Sequence, residues 1–149
     1  MVNLKDIHKL RNLTQAGIMD CRKSLEKSGG DFNKAKKFLL QKGAEIAAAK
    51  ANRETGAGTI GSYVHNNGEV AALVKLTCET DFVSRNEEFR QLAHELAMQV
   101  ASMKPKDVRE LLKQEYIRDS SKTINDLINK AVGKIKENIK IDKFIRFQI

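Results

Sequence analysis

The sequence contains no tryptophan, one proline and two cysteines, and aromatic residues make up only 5% of it. So little proline and no tryptophan fit a helix-rich chain better than a β-sandwich. Cys21 and Cys78 have neither metal-ligand spacing nor a CxxC arrangement, which points to reduced, buried thiols in a cytosolic setting. No apolar run is long enough to cross a bilayer. The chain passes from Met1 directly into a polar, helix-patterned segment without a secretory signal, so a soluble cytoplasmic protein is expected. Catalytic signatures are missing too: there is no GxxxxGK[ST], HExxH or GxSxG. His8, His65 and His94 are scattered and read as surface or structural histidines. Glu79 and Asp81 are two carboxylates without further ligands, too few to define a metal site. An enzyme is not expected, nor a cofactor of the chain's own.

What remains is 149 residues, 41% of them hydrophobic, with a formal net charge of +8. That is enough for one modest domain, or for a very small one joined to a larger one. The charge favours an acidic partner, whether protein, RNA or membrane surface. Leu4, Ile7 and Leu10 predict a first helix over about Val2 to Arg11. Ile18, Cys21 and Leu25 carry a second, stopped by Gly29-Gly30. Asp31 is placed to cap a third helix with Ala35, Phe38 and Leu39 inward, and Gly43 is expected to end it. Residues 1–43 thus read as a compact three-helix docking bundle, and 44–58 as an alanine- and lysine-rich helical linker.

Gly56-Ala57-Gly58-Thr59-Ile60-Gly61 matches GxGxxG literally. A helix precedes it and a strand follows, the reverse of a dinucleotide site. From residue 59 the pattern changes to period two. Ile60 to His65 alternate as one strand, Asn66-Asn67-Gly68 signals a hairpin, and Val70 to Cys78 alternate as a second strand. Phe89, Leu92, Ala93, Leu96, Val100 and Met103 hold one face of a long helix that Lys104-Pro105 ends. A short helix to about Gln114 and an amphipathic helix with Ile124, Leu127, Ile128, Ala131, Ile135 and Ile139 inward follow. Residues 144–149 close the chain as a strand. Residues 59–149 therefore read as an α+β core, a three-stranded antiparallel sheet with helices packed on it.

Thr80-Asp81-Phe82-Val83 falls between the second strand and the long helix, on a short, held connection of the kind that often carries function. Phe82 could cap the core while Asp81 starts a helix. Alternatively, Phe82 could wedge into a partner while Asp81 disturbs a charged or metal site there.

Thr14-Gln15-Ala16-Gly17-Ile18-Met19-Asp20-Cys21-Arg22-Lys23-Ser24-Leu25 closely resembles the N-terminal signature of the translation elongation factor Ts family. Cys78-Glu79-Thr80-Asp81-Phe82-Val83 resembles its second signature. Lys42-Gly43-Ala44 and Ile145-Arg146-Phe147 fit as well, so the resemblance spans nearly the whole chain. It implies a UBA-like N-terminal bundle that docks on elongation factor Tu, and a non-enzymatic role in guanine-nucleotide exchange. It implies that Thr80, Asp81, Phe82 and Val83 dislodge the magnesium ion so that GDP leaves, and that Ile18, Met19 and Arg22 belong to the docking surface. By position alone, Ile18 reads equally as bundle core.

Two departures stand out. Only about Lys113 to Lys122 lies where many members carry an inserted helical hairpin and a second half-core. Pairing of two short chains would compensate and would leave apolar residues on an open sheet face. Gln99 stands where many members have histidine, which weakens any tip-supporting role for that position. The net charge also keeps open a basic RNA- or ribosome-binding module, although no RNP-like aromatic strand accompanies Tyr63 and His65. A compact three-helix bundle also admits a ubiquitin-type binding module.

Overall fold

A computed structural model describes all 149 residues, Met1 to Ile149. In chain order the elements are α1 (Leu4–Thr14), α2 (Ile18–Lys27), α3 (Phe32–Lys50), β1 (Ala57–Val64), β2 (Val70–Cys78), α4 (Asp81–Ser84), α5 (Glu87–Met103), α6 (Val108–Lys113), β3 (Glu115–Tyr116), β4 (Asp119–Thr123), α7 (Ile124–Ile135) and β5 (Ile139–Gln148). They form two compact units, one of residues 1–50 with 129–136, the other of 51–128 with 137–149.

In the first unit, local chemistry sets the helix ends. Asn3 accepts the Lys5 amide at 3.0 Å ahead of α1, and Gln15 turns left-handed after it. Gly29 and Gly30 both take positive φ beyond α2, and the Gly30 amide reaches back to the Leu25 carbonyl at 2.8 Å. That turn favours glycine because a Cβ is costly there. Asp31 accepts the Lys34 amide at 3.0 Å at the start of α3. The small core joins Ile7, Leu10, Cys21, Leu25, Ala35 and Leu39, with Val2, Ala16 and Phe32 packed against it.

Two expectations for this unit need correction. Gly43 does not end the third helix, which continues to Lys50. One interior glycine costs about 1 kcal/mol, and the following run of helix-forming Ala, Glu and Lys outweighs it. Phe38 points outward, 49% exposed, and Phe32, one and a half turns earlier, fills the core position instead.

In the second unit the sheet order is β1-β2-β5, antiparallel throughout, with β2 in the middle. The literal GxGxxG stretch lies at the start of β1. Its last glycine has a packing role: a Cβ on Gly61 would run into the backbone carbonyl of Ala93 on α5. The long helix thus rests directly on strand backbone. Phe89, Ala93, Leu96 and Val100 of α5 and Ala72, Val74 and Leu76 of β2 are all buried. Met103, expected inward, is 47% exposed, whereas Ala97, Gln99 and Ala101 are buried. The last strand begins five residues earlier than the apolar pattern suggested, so Ile139 pairs with Cys78 instead of extending α7. A bulge between Lys75 and Leu76 leaves Asp142 without a cross-strand partner in the register, and its carboxylate meets Lys75 at 3.0 Å.

The two sheet faces differ sharply. Arg146 lies on the helix-covered face and donates to the Ala101 carbonyl at 3.0 Å, taking one of the acceptors that the end of a helix leaves open. Ile145 and Phe147, on either side of it, point away at 51% and 68% exposure.

Gly61→Ala should force α5 off the sheet. We expect a loss of about 1–3 kcal/mol of stability, the range for overpacking a core, measured as a lower urea midpoint. A wild-type midpoint would mean that α5 does not sit against Gly61.

Candidate functional site

β2 delivers the chain to a tip whose conformation is set by side chains. Thr80 is the N-cap of the single-turn helix α4, and its hydroxyl faces the Val83 amide at 3.5 Å. The Ser84 hydroxyl donates to the Asp81 carbonyl at 2.8 Å. Asn86 caps α5 by accepting the Glu88 amide at 2.8 Å. Between these fixed points Asp81 is exposed, and the Phe82 ring stands 90% exposed. An aromatic ring held in water on a capped turn contributes nothing to its own core, which leaves the sequence reading of Phe82 as a core cap without support.

Below the tip, a second loop supplies the brace. Glu137 Oε1 accepts the backbone amides of Glu79 at 3.1 Å and Thr80 at 3.0 Å. Its Oε2 accepts the Thr80 hydroxyl at 2.7 Å. Glu79 reciprocates by accepting the Asn138 amide at 2.8 Å, and the Arg53 guanidinium lies 3.5 Å from the same carboxylate oxygen. The buried Asn138 side chain donates to the Arg53 carbonyl at 2.7 Å and the Ala51 carbonyl at 3.4 Å. Burial raises the pKa of the Cys78 thiol, whose sulfur meets the Thr80 carbonyl at 3.3 Å. That thiol is therefore poorly reactive.

Of the N-terminal residues, Ile18 and Met19 open α2 at 44% and 59% exposure. The structure thus places Ile18 outside the bundle core. Arg22 is held by Glu26 one turn on, at 2.8 Å. Lys42 reaches Asp20 at 2.6 Å, and this hydrogen bond keeps the Asp20 carboxyl below its ordinary range. Tip and bundle residues lie in different compact units.

Gln99 does not support the tip. It is fully buried and anchors the β3–β4 hairpin. Its Nε2 donates to the Glu115 carbonyl at 3.0 Å, and its Oε1 accepts the Ile117 amide at 3.0 Å. Glu95, one turn earlier, accepts the Tyr116 hydroxyl at 2.7 Å and the Arg118 guanidinium at 2.8 Å. Burial alone would raise the Glu95 pKa, but these donors outweigh it and hold the carboxyl low. Burial, reinforced by the bond to Glu95, pushes the Tyr116 phenol up to about 12.

The sequence profile of the family described as Elongation factor TS matches residues 79–149, from the base of the tip to the last strand. Elongation factor Ts of Thermotoga neapolitana is 38% identical over 191 aligned positions, covering 99% of this chain and 97% of the relative. That of Leptospira biflexa is 38% identical over 193 positions, covering 99% and 98%. The chain belongs to the elongation factor Ts family. It is a translation elongation factor. The alignment exceeds the chain by about forty positions, so these relatives carry internal segments that this chain lacks. The Glu137–Asn138 brace and the Glu95–Gln99 hairpin anchor were both missed from sequence. No spacing rule links residues that far apart, and the only local hint was a buried-type pattern containing a glutamine.

Glu95→Gln should loosen the hairpin in a pH-dependent way. The wild-type carboxyl is more acidic folded than unfolded, so its contribution is present above the unfolded value of about 4.3 and lost as pH falls through the lower folded value. We expect the variant to have a lower urea midpoint at pH 7, with the gap narrowing as pH falls below the unfolded carboxylate value. Spectrophotometric titration should find Tyr116 ionising near 12 in wild type and at lower pH in the variant. A pH-independent gap with no change in the tyrosine would refute this account.

Proposed function

We propose that this chain binds elongation factor Tu and accelerates the release of its GDP, with Thr80, Asp81, Phe82 and Val83 as the working tip. The observation that carries this reading is the 90% exposed Phe82 ring, beside Asp81, on a turn capped and braced from behind. In the GTPase, magnesium bridges phosphate oxygens and protein ligands and neutralises their repulsion. A wedge that shifts those ligands weakens GDP without touching the base. The chain itself makes and breaks no covalent bond and needs no cofactor. Ile18, Met19 and Arg22 form the docking surface, where two exposed apolar side chains and a guanidinium suit a mixed apolar and acidic patch.

The magnitudes require division of labour. A thousandfold acceleration needs about 4 kcal/mol off the barrier, whereas burying one phenylalanine supplies about 1.5–3 kcal/mol. Docking and bracing must provide the rest. Linkage makes the effect reciprocal: the chain weakens GDP by the factor by which GDP weakens the chain.

A separate observation favours self-association. On the face of the sheet away from α5, Val64, Ala71 and Phe147 lie side by side in register, as do Ser62, Leu73 and Ile145. Ile60, Val64, Leu73, Ile145 and Phe147 are 45–68% exposed. Monomers rarely leave contiguous apolar patches of this kind open. A second copy, face to face about a two-fold axis, would cover it with its own equivalent.

With elongation factor Tu preloaded with labelled GDP, Phe82→Ala should slow stimulated release by about 10- to 100-fold, as its burial energy implies. Asp81→Ala should reduce exchange more than docking, and Met19→Ala should mainly raise the concentration needed. Undiminished release by the Phe82 variant would remove the wedge. In sedimentation, wild type should run as a dimer and Phe147→Asp as a monomer; a wild-type monomer would end the second reading.

A further inference from the structure

The β2–β5 ladder has its last pair at Cys78 and Ile139. One residue further, the amides of Glu79 and Thr80 have left the strand pairing, and the Glu137 carboxylate takes both, together with the Thr80 hydroxyl. Three donors converge on one side chain, and every one belongs to the two residues immediately before Asp81. Only an acceptor with two oxygens serves all three. A glutamine would aim an NH₂ group at an N–H or O–H donor, and an aspartate is one methylene short. Bonds to a carboxylate are also about twice as strong as neutral ones. The direction of the Thr80 hydroxyl matters in turn. Because its proton goes to Glu137, its lone pairs face Val83 and cap α4.

The loop that presents this carboxylate is itself fixed. α7 ends at Ile135, Lys136 takes φ 64°, and its amide bonds the Val132 carbonyl at 2.8 Å. Non-glycine residues rarely adopt that conformation, and where they do the surroundings hold them there. Asn138, on the other side of Glu137, is buried and tied to the carbonyls of residues 51 and 53. Glu137 is therefore an anchored strut.

We propose that Glu137 is the positioning residue of the tip: it orients the Thr80 cap so that Asp81 and Phe82 are presented in one rigid geometry, and it touches no partner itself. This rests on the exchange reading above and assigns that reading a residue outside the tip. A strut of this kind acts on the rate of release once the complex has formed, and leaves the strength of docking unchanged. A 1 Å error in placing a working group costs about a hundredfold.

Two measurements test it. In the free chain, amide hydrogen exchange should find Glu79 and Thr80 protected in wild type and unprotected in Glu137→Ala, with Glu137→Gln in between. In the GDP-release assay, Glu137→Ala should lower the saturating rate about ten- to a hundredfold, while the half-saturating concentration stays within about twofold of wild type. Thr80→Val removes only the hydroxyl. It should lower the saturating rate in the same way, and the double variant should lose less than the product of the two single losses, which keeps the test open should Glu137→Ala fold poorly. Wild-type protection in Glu137→Ala, or a loss confined to half-saturation, overturns the proposal. If wild-type chain fails to stimulate release, the exchange reading falls, and the amide measurement alone then decides whether Glu137 sets the tip.

Discussion

Where the β2–β5 ladder stops, two glutamates trade hydrogen bonds across the gap. Glu137 accepts the amides that follow β2, and Glu79 accepts the amide that precedes β5. Side chains thus continue a backbone pattern for one more step. The exchange is costly in one respect, since two carboxylates are drawn together. Arg53, 3.5 Å from Glu79, offsets part of that, and four hydrogen-bond donors to the two acids offset more. The chain leaves the sheet in a fixed direction as a result, and α4 starts where Thr80 can cap it. Backbone amides at a sheet end are ordinarily given to water. Committing them to an acid 57 residues away makes the tip depend on the whole second unit.

The same unit carries two unlike sheet surfaces, a braced end and an open apolar face. α5 approaches β1 so closely that Gly61 has no room for a side chain, and Arg146 reaches inward to an open carbonyl near the end of that helix. A guanidinium facing the helix and two apolar side chains facing out invert the usual pattern for a strand with one solvated face. The inversion makes sense if the outer face is also covered, as in a sandwich. On the same helix, Glu95 and Gln99 hold the β3–β4 hairpin to α5.

Elements that bury a periodic apolar face were legible in the sequence: α1, α2, α5 and the β1–β2 hairpin rest on spacing that any window reveals. The hairpin β3–β4 was not. Its two-residue loop, Ile117-Arg118, contains no glycine or asparagine and has no positive φ, and apart from Tyr116 and Thr123 its short strands are Glu, Asp, Ser and Lys, with no apolar alternation. Its stability comes from hydrogen bonds to α5, a tertiary cause that propensity does not register. The helix break at Gly43 was misjudged for the complementary reason, because neighbouring alanines outvoted one glycine. At the tip, residue types and position marked Asp81 and Phe82 as unusual. The acid that holds them was invisible, since Lys136-Glu137-Asn138 reads locally as nothing more than the end of a helix.

That hidden acid changes the energetics of the proposed wedge. Ordering one residue's backbone costs about 1–2 kcal/mol, so a tip of four mobile residues would lose about 4–8 kcal/mol on entering a partner. Burial of the Phe82 ring returns about 1.5–3 kcal/mol, less than that loss. A flexible tip would therefore insert weakly however well its ring fitted, and its work on the magnesium site would be negligible. If the ordering is done within the folded chain, by Glu137, Thr80 and Asn86, it is already complete when the partner arrives. The ring's burial energy is then free to act against the groups that hold the nucleotide. On the proposed reading, the effectiveness of the tip follows from its rigidity more than from its hydrophobicity, and that rigidity is a property of the sheet end on which it stands.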